Sequence, residues 1–200
     1  MNVSELLNSA TGQQIVSNIS SQFGLDQNQA VSAVQAAVPM ILGGLGRNAQ
    51  TPEGAEALNS ALESKHDGSV LDNIQGFFGN SDAAQQDGSG ILGHIFGNQV
   101  EQVQSGVSQS SGISMQKIGP IIAMLAPIVL GYLSKQKQNN NVTNSGGLGD
   151  LIGGLAGSLG GGQTQSQGQG GGLIDMVSGF LDKNKDGNVI DDIMGMFGKK

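Results

Sequence analysis

Ile118–Leu133 reads IGPIIAMLAPIVLGYL, a run without a charge in which only the Tyr132 hydroxyl is a strong hydrogen-bonding group. It has to be buried, because each large aliphatic side chain left in water forfeits roughly 1.5–3 kcal/mol. An earlier segment repeats it in register. Pro127-Ile-Val-Leu-Gly-Tyr-Leu133 aligns with Pro39-Met-Ile-Leu-Gly-Gly-Leu45, and at the same offset of 88 residues Gly112-Ile113 aligns with Gly24-Leu25. The pattern predicts one helical unit written twice, and with it an all-α multihelical bundle containing two related helical-hairpin repeats.

The run is short for a bilayer span, which needs about 20 apolar residues. Pro120 and Pro127 would interrupt the backbone ladder where lipid supplies no substitute partner. Gln29, Ser32 and Gln35 make the corresponding earlier stretch polar. A buried helix and no membrane span are therefore expected.

Thirty-four glycines and a long Gly/Gln/Ser stretch leave enough of the 200 residues for one compact domain and a tail. Six Phe, one Tyr and no Trp make the core aliphatic, which suits packed helices better than aromatic-rich strands. The net charge is −7 with nine scattered Lys and Arg, so the basic patch of a nucleic-acid binder is missing and no nucleic-acid partner is expected. The absence of cysteine excludes disulfides and thiolate chemistry. The opening MNVSELLNSATGQQ carries Glu5 and no basic residue, unlike the charge layout of a secretory signal, and a cytoplasmic location is the expectation.

Ile15, Ile19 and Phe23 are four apart, an apolar stripe that Gly24 ends. Asp26 with Gln29 has capping-box spacing, and Ala30, Val31, Val34, Ala37 and Val38 form a helical face before Pro39. Pro39 is expected to kink that helix, which should run out at Gly43-Gly44. Thr51-Pro52-Glu53 opens a third helix reaching about Ser64, and His66-Asp67-Gly68 turns into a short helix with Val70, Leu71, Ile74 and Phe78 facing inward. Asn80–Gln86 reads as a polar loop. The second copy starts near Gln99, with Val103 and Val107 in the places of Ile15 and Ile19.

Five phrases in this order, LGGLGRN (Leu42–Asn48), TPEGAEAL (Thr51–Leu58), HDGSVLDNI (His66–Ile74), DGSGILGHIFG (Asp87–Gly97) and LAPIVLGYLSK (Leu125–Lys135), resemble the YidB-like bacterial family, catalogued as a domain of unknown function. The resemblance implies a multihelical soluble bacterial domain with no assigned reaction.

The helical repeat domain is assigned to residues 1–137. Residues 138–172 read as an Asn/Gly/Ser/Gln-rich linker holding a marginal helix over 148–159. Leu148, Leu151, Ile152, Leu155 and Leu159 keep helical spacing there among glycines that each cost about 1 kcal/mol against alanine. GGGQTQSQGQGGG (Gly160–Gly172) has nothing to bury and reads as a tether with a reach of roughly 20 Å. Residues 173–200 read as an EF-hand-like helix-loop-helix.

Asp182-Lys-Asn-Lys-Asp-Gly-Asn188 matches D-x-N-x-D-G, the opening of an EF-hand, and is similar to the calcium loops of dockerins. Oxygens of Asp182, Asn184 and Asp186 would converge because glycine at the sixth position makes the sharp turn, and the Asn188 carbonyl would add a ligand. The far end departs from the pattern: Ile193 stands where a bidentate Glu closes an EF-hand, and Asp191 or Asp192 would have to close the sphere. Fewer fixed charges place such a Ca2+ site in the weak class, roughly 10⁻⁴ to 10⁻³ M.

Against the ion-binding reading, Leu62–Gly79 aligns without a gap on Leu181–Gly198, and Lys65 occupies the position of Asn184. The earlier copy should bind nothing and still connect two helices, so the Asp-Gly phrase is also explained by turn and cap chemistry. His66 and His94 have no cysteine partner and no second histidine at ligand spacing, and read as surface or satisfied core residues. Met176, Met194 and Met196 read as core filling. Gly149-Asp-Leu-Ile-Gly-Gly154 follows no strand, so a phosphate cradle is not indicated.

Two readings follow. One is a non-enzymatic helical module with a weakly calcium-binding C-terminal arm. The other is an ion-independent scaffold or self-association protein in which the apolar faces of Leu148–Leu159 and Leu173–Phe197 dock on another copy or on the repeat core, with self-association or an unknown protein partner as the possible partnership. A hydrolase is disfavoured, since no nucleophile and base are brought together by the sequence pattern.

Overall fold

A computed structural model describes residues 9–159. The first helix, α1 (Ala10–Phe23), starts where the Ser9 hydroxyl accepts the Gly12 N–H at 3.1 Å, buries Ile15, Val16 and Ile19, and stops at Gly24. Gly24 sits at φ 58°, in the left-handed region where a Cβ is strained, and its N–H reaches the Ser20 carbonyl. Ser20 Oγ then donates to the Leu25 carbonyl at 2.7 Å, fixing the turn. α2 (Gln27–Asn48) begins on a capping box in which Asp26 Oδ1 accepts the Gln29 N–H at 2.8 Å and Gln29 Oε1 accepts the Asp26 N–H at 3.2 Å.

α2 continues through Pro39 and past Gly43-Gly44, where the sequence suggested an end. Glycine at 44 serves close approach here: a Cβ on it would strike Ile95 and the Phe96 ring. α3 (Pro52–Ser64) starts as expected, with Thr51 Oγ1 accepting the Gly54 N–H at 3.1 Å and Pro52 in the first turn. Two short helices follow, α4 (Ser69–Asp72) and α5 (Ile74–Gly79), joined at Asn73, whose Oδ1 accepts the Gly76 N–H at 3.0 Å.

The expected loop at 80–86 is instead the first half of α6 (Ser81–Phe96). Its buried residues Ala84, Gly88, Leu92 and Phe96 recur every four positions, so the helix has one inward stripe despite its polar start. Gly88 brings the backbone of α6 against α8 so closely that a Cβ would run into the Ala123 carbonyl. Tertiary packing overrides the polar composition of that turn.

α7 (Val100–Ser111) ends at Gly112, φ 70°, and Ser108 Oγ donates to the Ile113 carbonyl at 2.5 Å. This is the turn of α1 and α2 again, 88 residues later. α8 (Met115–Asn139) carries Pro120 and Pro127 inside one helix, and every residue from Ile121 to Ser134 is buried. It lies at the centre, with α6, α2, α7, α4 and α3 packed around it. Polar groups at its end are satisfied: Lys137 Nζ lies 2.6 Å from Glu63 Oε1, and Ser134 Oγ donates to the Leu62 carbonyl at 3.3 Å.

α9 (Ser145–Leu159) covers the expected 148–159 helix and starts one turn earlier, with Asn144 Oδ1 accepting the Gly147 N–H at 2.8 Å. Leu148 and Ile152 are in the core, and the helix packs on α2 and α3. The described residues form helices and connecting turns, without a strand. By length and composition α2 and α8 could each cross a membrane; 83% of the apolar window of α8 and 50% of that of α2 are buried inside the fold.

Candidate functional site

The residues singled out for calcium, Asp182, Asn184, Asp186, Asn188, Asp191 and Asp192, lie outside the described residues. Among the described residues no group of three or more His, Asp and Glu side chains is placed to hold a metal. The gapless counterpart of that loop, Asp67–Gly79, is described, and its geometry shows what this phrase does in one copy.

Asp67 Oδ1 accepts the Ser69 N–H at 3.0 Å. That backbone bond, joined by the Ser69 hydroxyl, holds the Asp67 carboxyl below the usual carboxylate range. Gly68 takes φ 98° and passes over α8, where a Cβ would press on the Lys135 side chain. Val70 lies over Gly131, a position that admits no Cβ without displacing the Val70 methyl. The Asp72 carboxylate meets Lys135 Nζ at 2.9 Å, and Gln138 Nε2 donates to the Asp67 carbonyl at 3.1 Å. Ile74 and Phe78 are buried, and α5 packs on α1. The acids of this copy are thus spent on a turn and a lysine.

The second feature is a groove of about 730 Å³ bounded by α2, α3 and α6. Leu45, Leu58, Ile91 and Leu130 give it an apolar lining, and small residues on facing helices, Ala57 and Ala61 on α3 and Gly90 on α6, keep it open. His66 and His94 both border it. His66 is only 9% exposed, and burial pushes its pKa below the ordinary imidazole value while Asp87 pulls the other way. Its Nε2 is 3.8 Å from Asp87 Oδ2, beyond hydrogen-bond distance. Among the described residues that line it none is a Ser, Thr, Cys or Tyr, so these residues place no hydroxyl or thiol beside His66. The arrangement can hold an apolar group beside a hydrogen-bonding imidazole.

The profile of a family described as bacterial protein of unknown function, DUF937, matches residues 5–136. The chain is a DUF937 protein. No curated protein and no solved structure matches it. The DUF937 match takes in both hairpins, the Asp67–Gly79 connector and the groove, and ends near the close of α8.

Sequence reasoning treated the two histidines of this DUF937 protein as unrelated, and the fold sets both along one groove. The signal that could have pointed there is the small-residue pair Ala57 and Ala61 four apart on α3, which lines the groove together with Gly90 of α6. Such spacing marks a helix face stripped of bulk.

Proposed function

We propose that the chain is a non-enzymatic helical scaffold in which the Asp67–Gly79 phrase acts as a connector that seats two short helices on the hairpin core, and in which neither this Asp-Gly phrase nor the one at Asp186-Gly187 needs an ion. The observation that carries this reading is the Asp67–Phe78 segment, whose aspartates serve a turn and a lysine, and whose alignment with residues 186–197 retains Asp, Gly, Val, Asp, Ile and Phe at the positions that make contacts. The test is calorimetry of the full chain against millimolar calcium, with Asp186→Ala as the variant. No calcium heat is expected from either protein. A saturable heat that Asp186→Ala abolishes would overturn the reading.

One observation favours calcium as the second reading: Asn184 replaces the lysine found at 65, so the later copy alone offers oxygens at 182, 184 and 186. With a dissociation constant near 10⁻³ M, about 10 mM calcium would then stabilise the chain by about 1.4 kcal/mol.

A further inference from the structure

The groove is elongated. Its lining runs along α3 from Gly54 to Lys65, the residue that caps that helix, and along α6 from Ala83 to Ile95, about 16–18 Å at 1.5 Å per residue. The two walls run antiparallel. Past the end of α3, His66 Nε2 lies 3.8 Å from Asp87 Oδ2 in the first half of α6, and ahead of α3 the Asn48 side chain donates to the His94 and Ile95 carbonyls at the close of α6, both at 3.4 Å. Buried Leu45 and Leu130 supply apolar surface, and Ala57, Ala61 and Gly90 leave the space between the walls free of bulk.

The charged residues of the lining, Lys65 and Asp87, stand at the His66 end. The His66 side chain is only 9% exposed, yet its ring makes no hydrogen bond among the described residues. Buried polar groups are nearly always partnered, so an imidazole in this state at the edge of a groove calls for a ligand. Asp87 is 43% exposed and has no Lys or Arg within ion-pair distance among the described residues. We propose that the groove binds a small amphiphilic amine, an unbranched apolar body ending in an ammonium group, whose N–H groups donate to His66 Nε2 and Asp87 Oδ2 while the body lies along Ala57, Ala61 and Gly90 toward His94.

Charge and length favour this occupant. Burial keeps His66 uncharged at neutral pH, so its imidazole offers one lone pair. A head group at Nε2 also lies beside Asp87. A carboxylate there would meet like charge, whereas an ammonium has three donors to share between the two acceptors. The net charge of −7 draws cations toward the chain as a whole. Lys65 is exposed, and its long stem lets its own ammonium stay in water away from the head group. An extended chain of about ten carbons spans roughly 12 Å, given C–C bonds of about 1.5 Å, and so fits within the length of the groove.

The probe is decylammonium chloride, titrated below its micelle concentration into the full chain at pH 7.5 and followed through the His66 ring signals by NMR. Saturable binding is expected, with octylammonium roughly tenfold weaker because two methylenes are lost from the apolar contact. Decanoate should bind at least about tenfold more weakly, and Asp87→Asn should weaken decylammonium by a similar factor, the range for a lost hydrogen bond to a charged group. Bound ammonium should lower the His66 pKa further. A rise in that pKa, decanoate binding as tight as that of the amine, or ring signals that do not respond overturns the proposal. Ala57→Leu combined with Ala61→Leu fills the groove and should abolish binding, and amine binding that survives it is adsorption on an acidic surface, which also overturns the proposal. Should circular dichroism show the double variant unfolded, Asp87→Asn and the His66 signals decide. A ligand-free chain that is dimeric by light scattering and becomes monomeric in the folded double variant would give the groove to a second copy and overturn the proposal.

Discussion

α2 and α8 enter through the same turn and carry a proline and a glycine at matching positions, yet every residue from Ile121 to Ser134 of α8 is buried, whereas 50% of the apolar window of α2 is. The difference begins in side-chain volume. Where α8 has Ile118, Ile121, Ile122 and Leu125, α2 has Ala30, Ala33, Val34 and Ala37, and all eight are at most 3% exposed. Small residues let neighbouring helices approach the α2 axis closely, whereas the large ones of α8 fill space on all sides and draw α6 and the connector onto it. A duplicated phrase fixes the local hairpin, and side-chain bulk then decides which copy becomes the centre.

The largest effect expected from breaking this comparison comes from the leucines the two copies share. Leu133 is fully buried and Leu45 nearly so. Truncating either to alanine removes transfer energy and leaves a cavity, so each should lose about 2–5 kcal/mol in urea unfolding. Equal losses would mean that α2 is as deep in the core as α8 on its inner side, and that the copies diverge only on the outer one.

The outer sides are separated by a glycine pair. Gly131→Ala drives a methyl group into Val70 and should cost about 1–3 kcal/mol. Gly43→Ala faces open space among the described residues, so on a bare helix it should gain about 0.5–1 kcal/mol. Thermal melts of the two variants read the sign directly.

Much of the fold is legible in the sequence. The capping box at Asp26, the proline start of α3, the left-handed Gly24 and the stripe through Ile15 and Ile19 are local signals, and local physics honours them. What escaped the sequence was set by distant contacts. Asn80–Gln86 looked like a loop because its side chains are polar, and Ala84 and Gly88 became a helix face only once α8 lay beneath them. Gly43-Gly44 looked like a stop because glycine often ends helices, and here Gly44 admits α6 instead. His66 and His94 are far apart in sequence; the Ala57 and Ala61 pair hints at a bare face on α3, and nothing local says that both histidines border it.

The two turns differ in one respect that gives a smaller, cleaner test. Asp26 caps α2 through its side chain, whereas Ser114 opens α8 without a side-chain cap bond. Asp26→Ala should therefore cost about 0.5–2 kcal/mol, within the range for a lost cap. Ser114→Ala should fall within about 0.5 kcal/mol of the parent. Denaturant midpoints decide it. A Ser114→Ala loss as large as that of Asp26→Ala would give the two turns the same cap after all.

The smallest expected effect is a tilt with pH from His66, the residue before Asp67, whose place in the later copy of the phrase is taken by Lys185. Burial lowers the pKa of His66 in the folded chain, and Lys65 adds to this while Asp87 and Asp67 oppose it. The unfolded chain therefore takes up a proton near pH 6.5, and the folded chain takes it only at lower pH. Above 6.5 both states are neutral and stability does not depend on this group. As pH falls from 6.5 through the folded pKa, the unfolded state binds more protons and stability declines, and below that pKa the loss is constant. Urea midpoints at pH 7.5 and 5.5 should fall for the parent and change less for His66→Gln. An equal decline in both proteins would place the titrating group elsewhere.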